Sequence, residues 1–393
     1  MPDRSIQLEE AITAVTEATV QLPTERIGIE YLAGRILAED LYSAANEPPF
    51  PRALLDGYAV RSEDTRGADA AHPAALRVVG RVCAGVQYSG RIREGEAMRV
   101  MTGARIPEGA DAVIGQEHTD CGRKEVLLYR EVRHLEKYGT IGRDIKMGEP
   151  LLRKGAHLNS VSVAILAAAG ISEVCVVRKP RIAVLSTGDE LIRPGNTLEP
   201  GQVYDCNGLL ISGRLRELGA ESQSFHIKDD PGAMEQELHR LLRDFDAVIT
   251  TGGTGRGDHD AANRILARVT TEVPVPGISA KPGGSTWYAL VDGKPWLALP
   301  GNPMGASAML ELYGRAMLSA MLGSRELLMK KRRAFWENPE NKGRSGHGLS
   351  RGFYEDGKVT ALQGGVSNRM LSALQSNCLM DVSETENDSR LVN

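Results

Sequence analysis

From Pro180 onward the chain alternates short β-branched runs with segments of helical length, and three of those runs end in unusual polar loops. RIAVLS (181–186) is followed by a loop and a helix predicted over 208–218, with Asn207 placed to cap it and Gly219 to end it. A second helix starts at Pro231 behind Asp230, because proline's fixed φ suits a first helical position. DAVITT (246–251) runs through a glycine loop into a helix over 260–268. TWYALV and PWLAL lead through Pro300-Gly301-Asn302-Pro303 into a long helix over 304–322. Parallel strands need crossover connections, and the crossover helices land on the sheet faces. This alternation therefore predicts a parallel sheet covered on both sides.

The remainder has a different texture. Ile6, Leu8, Ile12 and Val15 recur at near-helical spacing and predict a first helix within 5–20. Between 46 and 142, Gly and Pro punctuate short β-rich runs (ALRVVGRV, AMRVMTG, DAVIGQ, EVLLYREV), the pattern of a compact, mainly β domain. A helix is predicted over 160–169, with Asn159 or Ser160 as cap and Gly170 past its end. Residues 328–393 begin basic and polar and continue in short β-like runs. The expected organisation is a multidomain α/β plus β chain. A discontinuous helical/β domain (1–45 and 146–179) is interrupted by a β domain (46–145). A parallel α/β domain (180–327) and a small C-terminal β domain (328–393) follow.

Composition excludes several classes. The 43 glycines among 393 residues have no Gly-X-Y period and lie between apolar runs, which excludes collagen and a low-complexity chain. A net charge of −4 gives no general attraction to nucleic acid or anionic membrane. The longest apolar stretch, around 163–169, is too short to span a bilayer. The start, MPDRSIQLEEA, lacks the basic and apolar regions of a signal peptide. Cys83, Cys121, Cys175, Cys206 and Cys378 are scattered and never form C-x-x-C, so they read as reduced thiols of a cytoplasmic protein.

In a doubly wound sheet, ligands sit outside the carboxyl ends of the strands. Three loops lie there: Ser186-Thr187-Gly188-Asp189-Glu190, then 251–260 beginning Thr251-Gly252-Gly253-Thr254-Gly255, then 300–303. Glycine loops before helix starts expose backbone N–H groups toward the positive end of a helix dipole, which makes an oxyanion cradle. Thr187, Thr251 and Thr254 add hydroxyl donors. Glu190, Asp258 and Asp260 cannot bind an anion directly; beside a phosphate cradle they point to Mg²⁺ held between carboxylates and phosphate oxygens. Gly253-x-Gly255 is followed by Asp258 where a dinucleotide fingerprint needs a third glycine, and no Gly-Lys-Ser/Thr follows to make a Walker A loop. Each loop alone also has a plain reading: Pro-Gly-Asn-Pro as a turn and helix cap, Asn207 as a simple cap, His259 and the Arg256-Gly257-Asp258 tripeptide as incidental. Three such loops on one sheet favour an anion site.

The ordered motifs resemble a family, the molybdopterin molybdenumtransferases of the MoeA/gephyrin E-domain group. Phe50-Pro51 with Asp56-Gly57-Tyr58-Ala59-Val60 looks like its F-P-x-S-x-x-D-G-Y-A-V. Met101-Thr102-Gly103-Ala104, Gly142-Arg143-Asp144-Ile145, STGDEL, TGGTG, Lys281-Pro282-Gly283 and LPGNP follow in family order. The resemblance implies a MogA-like molybdopterin-binding α/β domain in an elongated homodimer. It also implies insertion of molybdate into the dithiolene of adenylated molybdopterin, with release of AMP and help from Mg²⁺. The implied cleft lies between the α/β domain of one subunit and the β domain of the other. MogA-type proteins and molybdoenzymes are the implied partners.

Carried onto this sequence, the resemblance makes Asp56, Thr102, Asp144, Glu190 and Lys281 the catalytic candidates. Ser186, Thr187, Gly188, Asp205 and Asn207 would bind molybdopterin or AMP from the first loop and helix. Thr251, Gly252, Gly253 and Thr254 would do so from the second, and Pro300, Gly301 and Asn302 from the third. Glu190 and Asp260, with Asp229, Asp56 and Asp144 behind them, would hold the metal, and Lys281 with Ser186 would meet molybdate. Four departures stand out: Gly255 and Ala53 where the family has serine, Gly284 where it often has a second lysine, and a short polar tail without the usual closing β run. They leave two further readings open, a non-catalytic cofactor carrier and a CinA-like nucleotide pyrophosphatase.

Overall fold

A computed structural model describes residues 6–255, 261–270, 272–337, 348–362, 370–381 and 389–392. Its largest unit is a six-stranded sheet built from β1 (Arg181–Thr187), β2 (Glu221–Ile227), β3 (Ala247–Thr251), β4 (Glu272–Val275), β5 (Trp287–Val291) and β6 (Lys294–Leu299). The spatial order is β2-β1-β3-β6-β5-β4. The first four of these are mutually parallel, as the alternation predicts. The last two join by antiparallel pairing, β5 with β6 and β4 with β5, so β5 alone runs against the rest. Asp292-Gly293, both with positive φ, form a tight hairpin turn there, so no crossover is needed and the sheet is mixed.

Helices cover both faces. They are α1 (Leu8–Ala18), α3 (Asn207–Glu217), α4 (Pro231–Asp244), α5 (Ala261–Val269), α6 (Pro303–Met309) and α7 (Arg315–Leu322), while α2 (Ser160–Ala168) packs apart from this sheet with Leu32, Leu37 and Leu158. Ile182 and Val184 of β1 share one core with α3, α6, α7 and the buried Leu8, Ala11 and Val15 of α1. Ala183 and Leu185 share the other with α4 and α5. The alternation of neighbouring residues across a strand produces this division. The long helix expected over 304–322 is broken into α6 and α7 by a π-helical turn, Leu310–Gly314. Glu311, on that turn, is held by Arg214 and Arg315.

Thr24–Gly28 pairs with Glu173–Val177, and Leu41–Tyr42 with Pro150–Leu152, so chain from either side of the β-rich segment comes together. α2 begins at Asn159, whose side chain accepts from Ser162 N–H in a capping box. Between these segments stands a five-stranded sheet ordered Ala112–Gly115, Gly57–Val60, Glu96–Val100, Ala74–Val82, Glu125–Leu128. The C-terminal strands close a small barrel. Ser389–Val392 is the closing strand, pairing with both Lys331–Trp336 and Cys378–Asp381. The expectation of a missing closing run is thereby corrected: only four residues are needed to bridge these two strands. No helix among the described residues is long and apolar enough to cross a membrane. All five cysteines are free.

Candidate functional site

The three loops converge at the carboxyl end of the sheet, and Asn207 ties the second and third together. Its Nδ2 donates to Thr251 Oγ1 at 3.0 Å and to Gly301 O at 2.8 Å. Thr251 Oγ1 in turn donates to Pro300 O at 3.1 Å. Asn207 therefore does not cap α3; it is the first residue of that helix. The cap bond comes from Asp205, whose Oδ1 accepts Gly208 N–H at 3.0 Å. The carboxamide is fixed elsewhere because a carbonyl on a neighbouring loop can be satisfied only by a donor.

Asn302 does what the plain reading requires. Its Oδ1 accepts Met304 N–H at 2.9 Å and Gly305 N–H at 3.3 Å, with Pro303 at the first helical position of α6. Pro300 and Gly301 turn their carbonyls inward onto Thr251 and Asn207. A Cβ on Gly301 would lie 3.5 Å from Gly252 Cα, so the two glycine loops are in backbone contact. Gly305 faces Pro300 and Pro282, which packs the Lys281-Pro282-Gly283 segment onto the same surface.

The second loop forms a cradle. Gly252 and Gly253 both adopt positive φ, +94° and +63°. A Cβ on Gly253 would have as its three nearest neighbours Thr187 Oγ1 at 3.2 Å, Ala262 N at 3.3 Å and Ala261 N at 3.4 Å. All three are hydrogen-bond donors, two of them from the first turn of α5. Thr187 is buried, and its hydroxyl has no hydrogen-bond partner among the described residues. Burying an unpaired hydroxyl is unfavourable, so such a group marks a place where a ligand or water completes the bond.

Thr254 is buried, and its hydroxyl bonds to that of Ser285 at 3.1 Å. Asn263, which the sequence reading missed, anchors this loop by donating to Thr254 O at 3.2 Å and Gly255 O at 2.7 Å. Its Oδ1 accepts from Trp287 Nε1 at 2.8 Å. Asp258 and Asp260 lie outside the described residues, as do Arg256, Gly257 and His259.

Ser186 is also fully buried and unpartnered. Gly188 is held by His226, whose Nε2 lies 3.1 Å from its carbonyl, and by its own N–H to Ile227 O. His226 was likewise missed by the sequence reading. The exposed Glu190 folds its carboxylate back over Gly188, where a Cβ would meet Oε2 at 2.7 Å. Asp189 Oδ1 accepts Asp229 N–H at 3.3 Å, which brings Asp229 to the same loop. Burial pushes the Cys206 thiol, beside Asn207, above its ordinary pKa. Lys281 is exposed, and its carbonyl accepts Leu349 N–H at 2.9 Å from the C-terminal barrel.

Asp56 and Thr102 meet on the five-stranded unit. Thr102 N–H and its hydroxyl both donate to Asp56 Oδ1 at 2.7 Å. These two bonds, helped by Arg99 and Arg81, hold the Asp56 carboxyl below its ordinary 3.8. A lowered folded-state pKa means that the stabilisation is fully present above 3.8 and fades as pH falls through the folded value. A carbon-detected NMR titration is expected to place the Asp56 midpoint below 3.8, and Thr102→Val to move it upward. An unmoved midpoint in that variant would refute the role given to the hydroxyl. Asp144 is exposed on a separate loop, where its N–H donates to Glu47 O at 2.9 Å. No hydrogen bond or ion pair among the described residues joins Asp56, Thr102 or Asp144 to the loops of the six-stranded sheet.

Comparison with known proteins decides the family. Residues 6–170 match the MoeA N-terminal region (domain I and II), and residues 183–320 a probable molybdopterin binding domain. A molybdopterin molybdenumtransferase of Staphylococcus epidermidis is 33% identical over 321 residues, 81% of this chain and 77% of the relative. This chain belongs to the MoeA family. A molybdopterin molybdenumtransferase of Staphylococcus aureus is also 33% identical, over 82% of this chain and 77% of its own. The crystal structure of a MoeA protein of molybdopterin biosynthesis from Pyrococcus horikoshii superposes with a TM-score of 0.81 at 32% identity, covering 99% of both chains. As a MoeA protein, the chain is a transferase of molybdenum-cofactor biosynthesis with a probable molybdopterin binding domain as its α/β unit.

Proposed function

We propose that this MoeA protein inserts molybdate into the dithiolene of adenylated molybdopterin and releases AMP. The observation that carries the reading is the Gly253 cradle, where the unpartnered Thr187 hydroxyl and the start of α5 converge on one point. Phosphate oxygens are the acceptors this donor set suits. Asn207 keeps the loops after β3 and β6 in register, and the exposed Lys281, next to the Pro282 that packs on Gly305, is the candidate donor to the molybdate dianion. The Thr254–Ser285 couple holds two hydroxyl protons and uses one between its members, leaving the other for an oxyanion. These hydroxyls lie on the two loops that lack family donors at Gly255 and Gly284, which supports turnover over a carrier role.

Mg²⁺ fits the first loop. Among the described residues no three side chains form a metal cage. Mg²⁺ at phosphate sites commonly takes one or two carboxylates and completes its shell with phosphate oxygens and water. Glu190 and Asp229, gathered at Gly188–Asp189, would supply those carboxylates. When bound, the ion neutralises charge on the anhydride as AMP leaves.

The chain acts as a homodimer in this reading, with the Asp56–Thr102 pair of one subunit facing the cradle of the other. The test is AMP release from adenylated molybdopterin with Mg²⁺, with and without molybdate. AMP release that requires molybdate is expected; hydrolysis of ordinary dinucleotides without molybdate would instead identify a pyrophosphatase. Asp56→Asn and Lys281→Ala are each expected to lose activity. Refolded together, they should recover about a quarter of it, since random pairing around a two-fold axis leaves that share of sites intact. No recovery would refute the shared site.

A further inference from the structure

The two hydroxyls that end β1 are both buried and unpartnered, and they lie on opposite faces of the sheet. Ile182 and Val184 pack with Ile211 and Leu215 of α3, so Ser186 belongs to that face. Ala183 and Leu185 pack with α4 and α5, so Thr187 belongs to the other. The site straddles the sheet edge.

The two sides have opposite hydrogen-bond character. On the α5 side, the atoms nearest Gly253 are all donors. On the α3 side, three oxygens from three elements meet around Gly208. A Cβ there would lie 2.6 Å from Ser224 Oγ, 2.7 Å from Asp205 Oδ2 and 2.8 Å from Ser186 Oγ. Asp205 Oδ1 is engaged by Gly208 N–H, so Oδ2 is the oxygen turned to this point. Register agrees: Ser224 pairs with Val184 and His226 with Ser186, placing both β2 residues on the α3 face. A carboxylate oxygen repels phosphate and molybdate alike. What it attracts is a group bearing N–H donors.

We propose that Ser186, Asp205 and Ser224 form a recognition subsite for the donor-bearing edge of a nitrogen heterocycle. In the molybdopterin reading, on which this inference rests, that edge is the amino group and ring N–H of the pterin. The diphosphate then lies on the Thr187 side, so one ligand spans the sheet edge with each end matched to its own polarity. The assignment also moves Ser186 from molybdate, where the sequence paired it with Lys281, to the pterin. Gly208 is required because any side chain would occupy the point where the three oxygens meet.

The test is calorimetry on the full chain with three probes: adenylated molybdopterin, 6-hydroxymethylpterin and AMP. Asp205→Asn keeps an oxygen that can cap α3 and removes the charge. It is expected to weaken adenylated molybdopterin and 6-hydroxymethylpterin at least about tenfold, the loss of one charged hydrogen bond, and to leave AMP within about twofold. Thr187→Val is expected to do the reverse, weakening AMP and sparing 6-hydroxymethylpterin. Asp205→Asn weakening AMP as much as the pterin would place adenine in the subsite and overturn the proposal, as would adenylated molybdopterin bound equally by wild type and Asp205→Asn. A wild-type chain that binds no adenylated molybdopterin would overturn the functional reading itself, an outcome distinguishable from both.

Discussion

Gly253→Ala is expected to weaken binding of AMP and of adenylated molybdopterin at least about 100-fold while leaving the fold in place. Gly253 sits at φ +63°, where an alanine costs about 1–2 kcal/mol in backbone strain. The larger effect is local. The added methyl would stand 3.2 Å from Thr187 Oγ1 and 3.3 Å from Ala262 N, in the space a phosphate oxygen would take. Hydrogen bonds to a charged group contribute about 1.5–3 kcal/mol each, so losing two of them accounts for about 100-fold or more in affinity. Calorimetry with AMP measures the loss, and the thermal transition of the same sample measures the strain. AMP bound as tightly by the variant as by wild type would show that the cradle at Gly253 does not hold the phosphate. Gly213, by contrast, has open space where its Cβ would be and lies within α3, so Gly213→Ala serves as a control that leaves AMP binding unchanged and does not lower the thermal transition.

The parallel strands and their helices were legible because buried parallel strands are near-continuous aliphatic runs, as in β1, β3 and β6. β2 was not. ESQSFHI is an edge strand whose α3 face carries Ser222, Ser224 and His226, so its apolar signal is confined to Phe225 and Ile227 on the other face. That same polar face supplies Ser224 to the subsite, so the residue hardest to find from hydrophobic pattern is one with a proposed role. The π-turn at Leu310–Gly314 left no mark either, because LELYG continues the helical apolar pattern without a proline.

The loops were legible as a set, but the duties within them were not. Spacing put Asn207 ahead of a helix and so made it a cap; only the fold shows that Thr251 and Gly301 stand on its other side. Thr187 and Ser186 are adjacent letters, yet strand geometry sends them to opposite faces and opposite chemistry. The shared hydrogen bond of Thr254 and Ser285 crosses 31 residues of sequence, and nothing in either loop alone announces it.

Asn207 allows the sharpest separation of a capping role from a loop-tying one. A helix cap tolerates aspartate as well as asparagine, so a capping Asn207 would be nearly indifferent to Asn207→Asp and sensitive to Asn207→Ala. The structure predicts the opposite order. Gly301 O, 2.8 Å from Nδ2, can only accept, so an aspartate oxygen there sets acceptor against acceptor. Alanine leaves Thr251 Oγ1 and Gly301 O without their donor, a cost of about 2–4 kcal/mol for one buried and one part-buried bond. Aspartate adds a buried like-signed contact to that loss and draws negative charge toward the phosphate cradle. Molybdate-dependent AMP release is expected to fall about 100-fold in Asn207→Ala, since loosening the loops by even 1 Å misplaces the anhydride, and further in Asn207→Asp. The thermal transition should move down in the same order. An aspartate variant as active as wild type would return Asn207 to a simple cap and remove the tie that holds the loops after β3 and β6 in one register.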